Sequence, residues 1–186
     1  NTSNENTMEW LKRTVLIIDP CMNPDGRDRY VQFYTMTGTI PPSADVSTRE
    51  HDEPWPSGRT NHYHFDLNRD WTWLTQKETS QRMELYNSWM PHIHVDYHEQ
   101  NFDEPYYFAP AARPYHNQIT SWQRELQKII GKNHARYFDK NNWLYFTKEH
   151  FDLLYPGYGD TYPIYNGAIG MTYEKAGGGA WGISVA

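Results

Sequence analysis

The sequence predicts an α/β fold in which helices flank a twisted, mixed and mostly parallel sheet. Patterns typical of strands and of helices alternate along the chain, from the apolar run "RTVLIID" to the final run "AIGMTYEKA". No internal repeat interrupts this alternation. With 186 residues, the chain is long enough for one domain with a sizeable core. We therefore expect residues 1–186 to form a single domain.

The first predicted strand covers residues 13–19, "RTVLIID", a continuous apolar and β-branched run that ends at Pro20. Such a run is typical of a strand buried on both faces. The following "NPDGRDRY" has the composition of a turn, and residues 38–64 are rich in Pro, Ser, Thr and charge. We interpret residues 38–64 as a long loop, and long loops inside compact domains are often functional.

Two segments have the spacing of amphipathic helices. The first, residues 75–90, opens with Thr75 and Glu78 at the spacing of a capping box. Its predicted inner residues are Met83, Leu85, Trp89 and Met90. The second, residues 117–130, has apolar side chains at helical spacing, namely Ile119, Trp122, Leu126, Ile129 and Ile130. We expect both apolar sets to belong to the core rather than to a site.

The segment "HIHVDYHEQ", residues 92–100, predicts a strand with two unlike faces. Polar side chains alternate with apolar ones, so one face carries His92, His94, Asp96 and His98. Each residue of a strand advances by about 3.3 Å, which places His94 and His98 roughly 13 Å apart. Because a zinc ligand lies within about 2.1 Å of the ion, at most one histidine of this strand can bind a given metal. Short strands are also predicted at "PYYFAPA" and at "AIGMTYEKA".

Composition excludes some classes of partner. The formal net charge is -6 and no basic run occurs, which argues against nucleic acids and anionic membrane surfaces. No stretch is long and apolar enough to predict a membrane span. Aromatic residues make up 16% of the chain, which suits an aromatic-lined cleft or a carbohydrate-binding surface. The single cysteine, Cys21, excludes an intrachain disulfide and leaves the compartment open.

Two sets of polar residues stand where the chemistry of such folds is found, at strand ends and in the loops that follow. Glu174 emerges from the last apolar strand, where it could act as a general base or pair with Lys175. In "FDLNRDW", Asn68 and Arg69 provide an amide and a planar guanidinium, which together can bind a carboxylate. The alternative is that Arg69 pairs with a neighbouring aspartate and only holds the loop.

Four short motifs occur in an order that resembles a known family. They are "NPDG" at 23–26, "DLNR" at 66–69 followed by Trp71, "DxH" at 96–98, and "TYE" at 172–174. This sequence is similar, over nearly its whole length, to zinc metallocarboxypeptidases of the carboxypeptidase A and cytosolic carboxypeptidase type. The resemblance implies a zinc-carboxypeptidase-like (phosphorylase/hydrolase-like) fold. It also implies a zinc cofactor, and hydrolysis of the C-terminal peptide bond of a peptide or protein.

The resemblance further implies roles for individual residues. His98 matches the family's third zinc ligand, and Glu174 matches the general base that takes a proton from zinc-bound water. Asn68 and Arg69 match the pair that binds the substrate's C-terminal carboxylate. Arg59 is placed like the arginine that stabilises the oxyanion in the cytosolic branch, with Arg27 and Arg29 as rivals.

Two further assignments concern the substrate pocket. Asp160 precedes Glu174 by fourteen positions, the spacing of an aspartate near the family's specificity pocket. Tyr155 is our choice for the family's mobile tyrosine, with Tyr158 as the alternative. Asp70 and Glu99 replace residues that are commonly uncharged in the family. A more acidic cleft would leave open a preference for a basic or amine-bearing substrate.

The sequence departs from the family in its zinc ligands. The family's first two ligands come from an "HxxE" motif upstream of "NPDG", but none of the nine histidines here is followed three positions later by Glu. Either the chain is a fragment of a longer peptidase, or it is a degenerate relative that binds peptides or glycans without hydrolysing them. The polar start favours a fragment, so we expect no peptidase activity from this chain alone. We also expect exposed apolar sheet surface, covered in a homo-oligomer or by a missing N-terminal segment.

Overall fold

The computed structural model describes residues 4–100 and 104–175, which contain five α-helices and six strands. The helices are α1 (Glu5–Leu11), α2 (Pro24–Thr37), α3 (Lys77–Trp89), α4 (Ser121–Asn141) and α5 (Thr161–Tyr165). The strands are β1 (Ile93–Glu99), β2 (Tyr106–Tyr107), β3 (Ala112–Tyr115), β4 (Tyr145–Phe146), β5 (Asp152–Leu153) and β6 (Ile169–Lys175). Two short 3₁₀ helices, Arg49–His51 and Leu67–Arg69, lie in the long connection between α2 and α3.

The main sheet has the strand order β1-β6-β2-β4. β1 is parallel to β6, β6 is antiparallel to β2, and β2 is parallel to β4. β3 and β5 form a separate parallel pair. The predicted mixed, mostly parallel sheet flanked by helices is therefore confirmed. In the register of β1 and β6, Asp96 lies opposite Thr172 and His98 lies opposite Glu174.

Strand β6 lies at the centre of the core. Ile169 and Met171 are 1% and 2% exposed and cluster with Ala109. Helix α4 packs on this layer, and its Gln127 side chain donates a hydrogen bond to the Gly170 carbonyl at 2.7 Å. A side chain at Gly131 would collide with the Ala109 carbonyl, so glycine is what lets α4 approach so closely.

Strand β1 has the two faces that its alternation predicts. On the polar face, the ring of His94 packs edge-on against Trp71 at 5.3 Å, and Asp96 accepts a hydrogen bond from Asn68. Tyr97, on the other face, is 76% exposed. The polar face is therefore the one turned towards the loop that precedes α3, while His92 is an exposed residue just before the strand.

The predictions for the start of the chain were wrong in two places. Residues 13–19 are exposed and form no strand, since none of the described residues pairs with their backbone. The "NPDGRDRY" segment is helical rather than a turn. Asn23 is the N-cap residue of α2, and the helix begins at the next residue, Pro24. The Asn23 side chain accepts a hydrogen bond from the Gly26 N–H at 2.9 Å, and proline suits the first helical position.

Both predicted helices, α3 and α4, are present, but the predicted capping box and some of the predicted inner residues are wrong. Helix α3 begins at Lys77 without the predicted capping box, because the Asp70 carboxylate accepts the N–H groups of Thr75 and Gln76 instead. Of the predicted inner residues of α3, Met83 is buried, whereas Leu85, Trp89 and Met90 are exposed. On the second helical segment, Ile119 is buried, Leu126 and Ile130 are partly buried, and Trp122 and Ile129 are exposed.

Candidate active-site cleft

A cleft of about 240 Å³ opens at the carboxyl ends of β1 and β6, where sites in such sheets are expected. All of the residues that the sequence singled out as site candidates line it except Tyr155. They are Arg59, Asn68, Arg69, His98, Tyr158, Asp160 and Glu174. Glu99 also lines the cleft, whereas Asp70 is buried at the start of α3 and adds no acidity there.

Asn68 connects three parts of the cleft. Its Nδ2 lies 2.9 Å from Asp96 Oδ2 and 2.8 Å from His98 Nε2, and its Oδ1 accepts the Gly159 N–H at 2.7 Å. Asp66 holds the turn itself, because its side chain accepts the Asn68 N–H at 2.9 Å. The amide of Asn68 is thus used within the protein, where it fixes the loop to β1 and to the segment before α5.

His98 is held by the same network. Its Nε2 lies 2.8 Å from Asp96 Oδ2. Burial lowers the pKa of His98, but the hydrogen bond and the negative charge of Asp96, helped by Glu174, outweigh burial and raise it overall. Asp96 therefore stabilises the protonated form of the His98 imidazole relative to an isolated histidine.

Zinc is the metal that the resemblance implies, and the described residues do not fit it. Structural zinc sites have four protein ligands and catalytic ones have three. Within residues 4–100 and 104–175, no group of three or more His, Cys, Asp or Glu side chains could hold a metal ion. His98 is the one predicted ligand, and its Nε2 already has Asp96 and Asn68 as neighbours.

Glu174 is a buried carboxylate of the cleft, with 7% of the residue exposed. Burial raises the pKa of Glu174 to about 7; the charges of Asp96 and Glu99 add to this, while His98 and Arg59 oppose it. No side chain or backbone group in the described part of the chain donates a hydrogen bond to it. A carboxyl group that titrates near neutral pH can both accept and return a proton.

The two arginines of the cleft share one aspartate. Arg59 Nε and Nη2 each lie 2.9 Å from Asp66 Oδ2, and Arg69 Nη1 lies 3.8 Å from the same oxygen. Arg69 Nη1 also donates to the Asn68 carbonyl at 2.9 Å, and its guanidinium stacks over the Tyr158 ring at 4.4 Å. The remaining donors of Arg69 stay available to a ligand in the cleft.

The rivals of Arg59 lie elsewhere. Arg29 donates to the carbonyls of Thr60 and Asn61 at 2.7 and 2.6 Å, so it holds the long loop in shape. Arg27 pairs with Asp28 on the surface at 3.1 Å. Of these three arginines, Arg59 is the one that lines the cleft.

Tyr155 lies behind the cleft and supports Arg69. Its hydroxyl donates to the Arg69 carbonyl at 3.0 Å and accepts a hydrogen bond from Trp73 Nε1 at 2.7 Å. Its ring meets that of Tyr158 edge-on at 4.9 Å. Sequence reasoning missed Trp73, although the repeated aromatics of "WTW", one residue after "DLNR", were a usable signal.

Asp160 forms a buried floor of the cleft, with 4% of the residue exposed. It accepts hydrogen bonds from the hydroxyl groups of Thr161 at 3.0 Å and Thr172 at 2.9 Å. Burial raises the pKa of Asp160 to about 6 in spite of these donors. Sequence reasoning also missed His150 and Asp152 in the lining, because no motif marks the segment that carries them.

The α/β sheet carries a polar cleft at its strand ends, and a comparison with protein families identifies the class of protein. The family model described as zinc carboxypeptidase matches residues 1–105. Since this is more than half of the 186 residues, the chain belongs to the zinc carboxypeptidase family. Comparisons with curated proteins and with solved structures give no match. At the level of the family, the chain is a metallocarboxypeptidase-like domain.

A membrane-spanning helix was not expected from the sequence. In the described ranges, none of the helices combines the length and the apolar character needed to cross a bilayer.

Proposed function

We propose that the cleft is the substrate-binding part of a carboxypeptidase site and takes the C-terminal carboxylate of a peptide or protein. This proposal rests on one observation: Arg69 and the buried Glu174 line the same cleft of a zinc carboxypeptidase domain. Arg69 also has N–H donors that no described residue uses. Guanidinium groups bind carboxylates through two parallel hydrogen bonds. A terminal carboxylate anchored on Arg69 would leave only the last peptide bond near His98 and Glu174.

Each residue of the cleft has a task in this proposal. Arg69 anchors the carboxylate, and Tyr158 holds the guanidinium by stacking. In a complete peptidase site, Glu174 would accept the proton of an attacking water and return it to the leaving amine, because its pKa is near 7. Arg59 places a positive charge on the same cleft, where negative charge develops on the substrate oxygen.

Hydrolysis needs more than these residues. A zinc ion in a complete site would lower the pKa of a water to about 7, and this chemistry is what the cleft lacks. The described residues provide one candidate ligand, His98, and we propose that the 186 residues alone do not hydrolyse peptides.

Calorimetry with two short peptides tests the binding step. One peptide ends in a free carboxylate and the other has the same sequence with a C-terminal amide. We expect the free acid to bind about tenfold more tightly, a difference of about 1.4 kcal/mol, because only the acid can pair with Arg69. The variant Arg69→Ala should remove this preference, whereas Arg136→Ala, which changes an exposed arginine of α4, should keep it. Equal binding of acid and amide by the unmodified chain would exclude a carboxylate site.

Activity is tested separately with the same free-acid peptide and added zinc. We expect no release of the C-terminal amino acid, as followed by mass spectrometry. Zinc-dependent release by the purified chain, lost in Glu174→Gln, would show that the chain completes a metal site and that its proposed inactivity is wrong.

A non-catalytic peptide-binding role is the second candidate. It is favoured by the short contact of His98 Nε2 with Asp96 Oδ2 and by the lack of a metal-binding group in the described ranges. Metal analysis of the protein isolated from its natural source separates the two roles. About one zinc ion per chain supports the enzyme, and a metal-free protein that still binds free-acid peptides supports the binder.

A further inference from the structure

A second cavity lies at the opposite end of β6 from the cleft. It has a volume of about 470 Å³ and is bordered by the start of α4 and by residues between α5 and β6. Ile169 and Glu174, near the two ends of β6, lie roughly 16 Å apart at about 3.3 Å per residue. The cavity is therefore separate from the cleft, and its volume falls within the range of about 300 to 1,000 Å³ that is typical of small-molecule sites.

The buried part of this cavity's lining is held by hydrogen bonds. Ile164 and Gln123 are 3% and 6% exposed. Gln123 Nε2 donates to the carbonyls of Ile164 at 2.8 Å and Ala168 at 3.0 Å, and its Oε1 accepts the Thr120 N–H at 3.0 Å. Because these polar groups are satisfied within the protein, the cavity is formed before a ligand binds.

Aromatic side chains form much of the remaining lining. Trp122, which the sequence placed in the core, lines the cavity and is 64% exposed. His116 and Tyr165 form a fixed wall, because their rings meet edge-on at 5.2 Å and the Tyr165 hydroxyl donates to the Leu154 carbonyl at 3.0 Å. A large exposed aromatic side chain beside a preformed cavity indicates a ligand with an apolar face.

The polar groups of this lining suit an uncharged ligand. None of the described residues that line the cavity is Asp, Glu, Lys or Arg. His116 Nδ1 accepts the Gln118 N–H at 3.2 Å, so Nε2 is the donor of the neutral ring, and no described residue accepts from it. The side-chain amide of Gln118 also has no partner in the described ranges. A donor and an amide are therefore available to the hydroxyl groups of a neutral ligand.

We propose that this second cavity binds a neutral saccharide. A pyranose ring combines an apolar C–H face, which can pack on Trp122, with hydroxyl groups that can pair with His116 Nε2 and the Gln118 amide. A flat heterocycle would use the aromatic ring but leave most of the polar groups unpaired, and a charged ligand would find no counter-charge in the lining. The inference is independent of the proposed function, because it uses no residue of the cleft.

Ligand titrations of the 186-residue chain, followed by NMR, test the inference. The probes are cellobiose, maltose, lactose and N,N′-diacetylchitobiose, with sorbitol and adenine as matched controls. Sorbitol has the hydroxyl groups of a sugar without the ring, and adenine has a flat neutral ring without hydroxyl groups. We expect at least one disaccharide to bind with a dissociation constant of about 1 mM or below. Sorbitol and adenine should bind at least about tenfold more weakly than that disaccharide.

Two variants locate the saccharide. Trp122→Ala should weaken binding of the best disaccharide about tenfold, because the sugar ring loses its aromatic partner. Gln118→Met keeps the length of the side chain, removes the amide, and should weaken binding about threefold. The control Trp89→Ala changes a tryptophan of α3 that is 53% exposed, and it should leave saccharide affinity unchanged. Thermal melts show that each variant is folded before its affinity is compared.

Three outcomes overturn the inference. They are the absence of binding by all four disaccharides, adenine binding as tight as that of the best disaccharide, and unchanged saccharide affinity in Trp122→Ala. The peptide experiment is read independently, because Trp122→Ala should keep the preference for a free-acid over an amide peptide. A failure of the carboxylate site would therefore leave the saccharide result intact, and the reverse also holds.

Discussion

Strand β6 and the segment at residues 13–19 have similar apolar sequences and opposite environments. Ile169 and Met171 of β6 are almost fully buried, whereas Val15 and Ile18 are 69% and 71% exposed. β6 has a hydrogen-bonded neighbour on each side, β1 and β2, and residues 13–19 have none in the described part of the chain. An apolar, β-branched run thus has a propensity for strand, and it forms one only where a neighbouring strand pairs with its backbone.

The exposed segment is fixed mainly at its end. Arg82 of α3 donates to Asp19 Oδ2 at 2.6 Å and to the Met22 carbonyl at 2.9 Å. The other arginine nitrogen is buried without a partner in the described ranges. These contacts place the end of the segment beside α3, while the apolar residues before it remain in solvent.

The largest expected effect sharpens this contrast directly. Met171→Ala removes a fully buried side chain from the core and should cost about 2 to 5 kcal/mol in the free energy of unfolding. The matched change Ile18→Ala should alter that free energy by less than about 0.5 kcal/mol, because an exposed side chain loses no packing. Urea denaturation followed by circular dichroism measures both values. A similar loss for the two variants would mean that residues 13–19 are buried in solution, in an oligomer for example.

The second prediction concerns Asp160, which accepts a hydrogen bond from Thr172 of β6 and makes the free energy of unfolding depend on pH. Its folded-state pKa is raised from 3.8 to about 6, so the folded protein holds this proton more tightly than the unfolded chain does. The stabilisation is complete below about pH 4 and is lost as the pH rises through 6, amounting to about 3 kcal/mol at most. Asp160→Asn should therefore gain stability relative to the parent protein between pH 4 and 7.

The measurement is the difference in unfolding free energy between the two proteins at several pH values. Asp28→Asn, an exposed carboxylate paired with Arg27, is the matched control and should show no such trend. A constant difference between the Asp160 variant and the parent protein from pH 4 to 7 would contradict the raised pKa.

Residues joined by local geometry could be predicted from the sequence. The alternation of β1 correctly put His94, Asp96 and His98 on one face, and the spacing of the strand limited the metal ligands to one histidine. The existence of α3 and α4 also followed from local periodicity. The resemblance to zinc carboxypeptidases implied that Arg69 and Glu174 share one site, and the cleft contains both.

Features that depend on distant residues could not be predicted in this way. The predicted capping box of Thr75 and Glu78 does not form, because the Asp70 carboxylate accepts the N–H groups of Thr75 and Gln76 before α3 begins at Lys77. Asn68 binds Asp96, a partner 28 residues away, and no sequence spacing reveals that its amide is already used. Asp152 joins the cleft through β5, a strand of only two residues that has too few positions to show a pattern.

The smallest expected effect concerns the support of Arg69 by Tyr155. The Tyr155 hydroxyl has two hydrogen-bond partners, in contrast to the exposed residues 13–19. Tyr155→Phe removes the hydroxyl that joins Trp73 Nε1 to the Arg69 carbonyl but keeps the ring that packs on Tyr158. We expect affinity for the free-acid peptide to fall about threefold, because Arg69 loses one hydrogen bond of modest strength that holds it in position. Affinity for the amide peptide should stay the same, because the amide does not use Arg69. Calorimetry on Tyr63→Phe, which changes an exposed tyrosine in the long loop, provides the control. Equal losses for acid and amide would show that Tyr155 supports the loop in general and does not position the arginine.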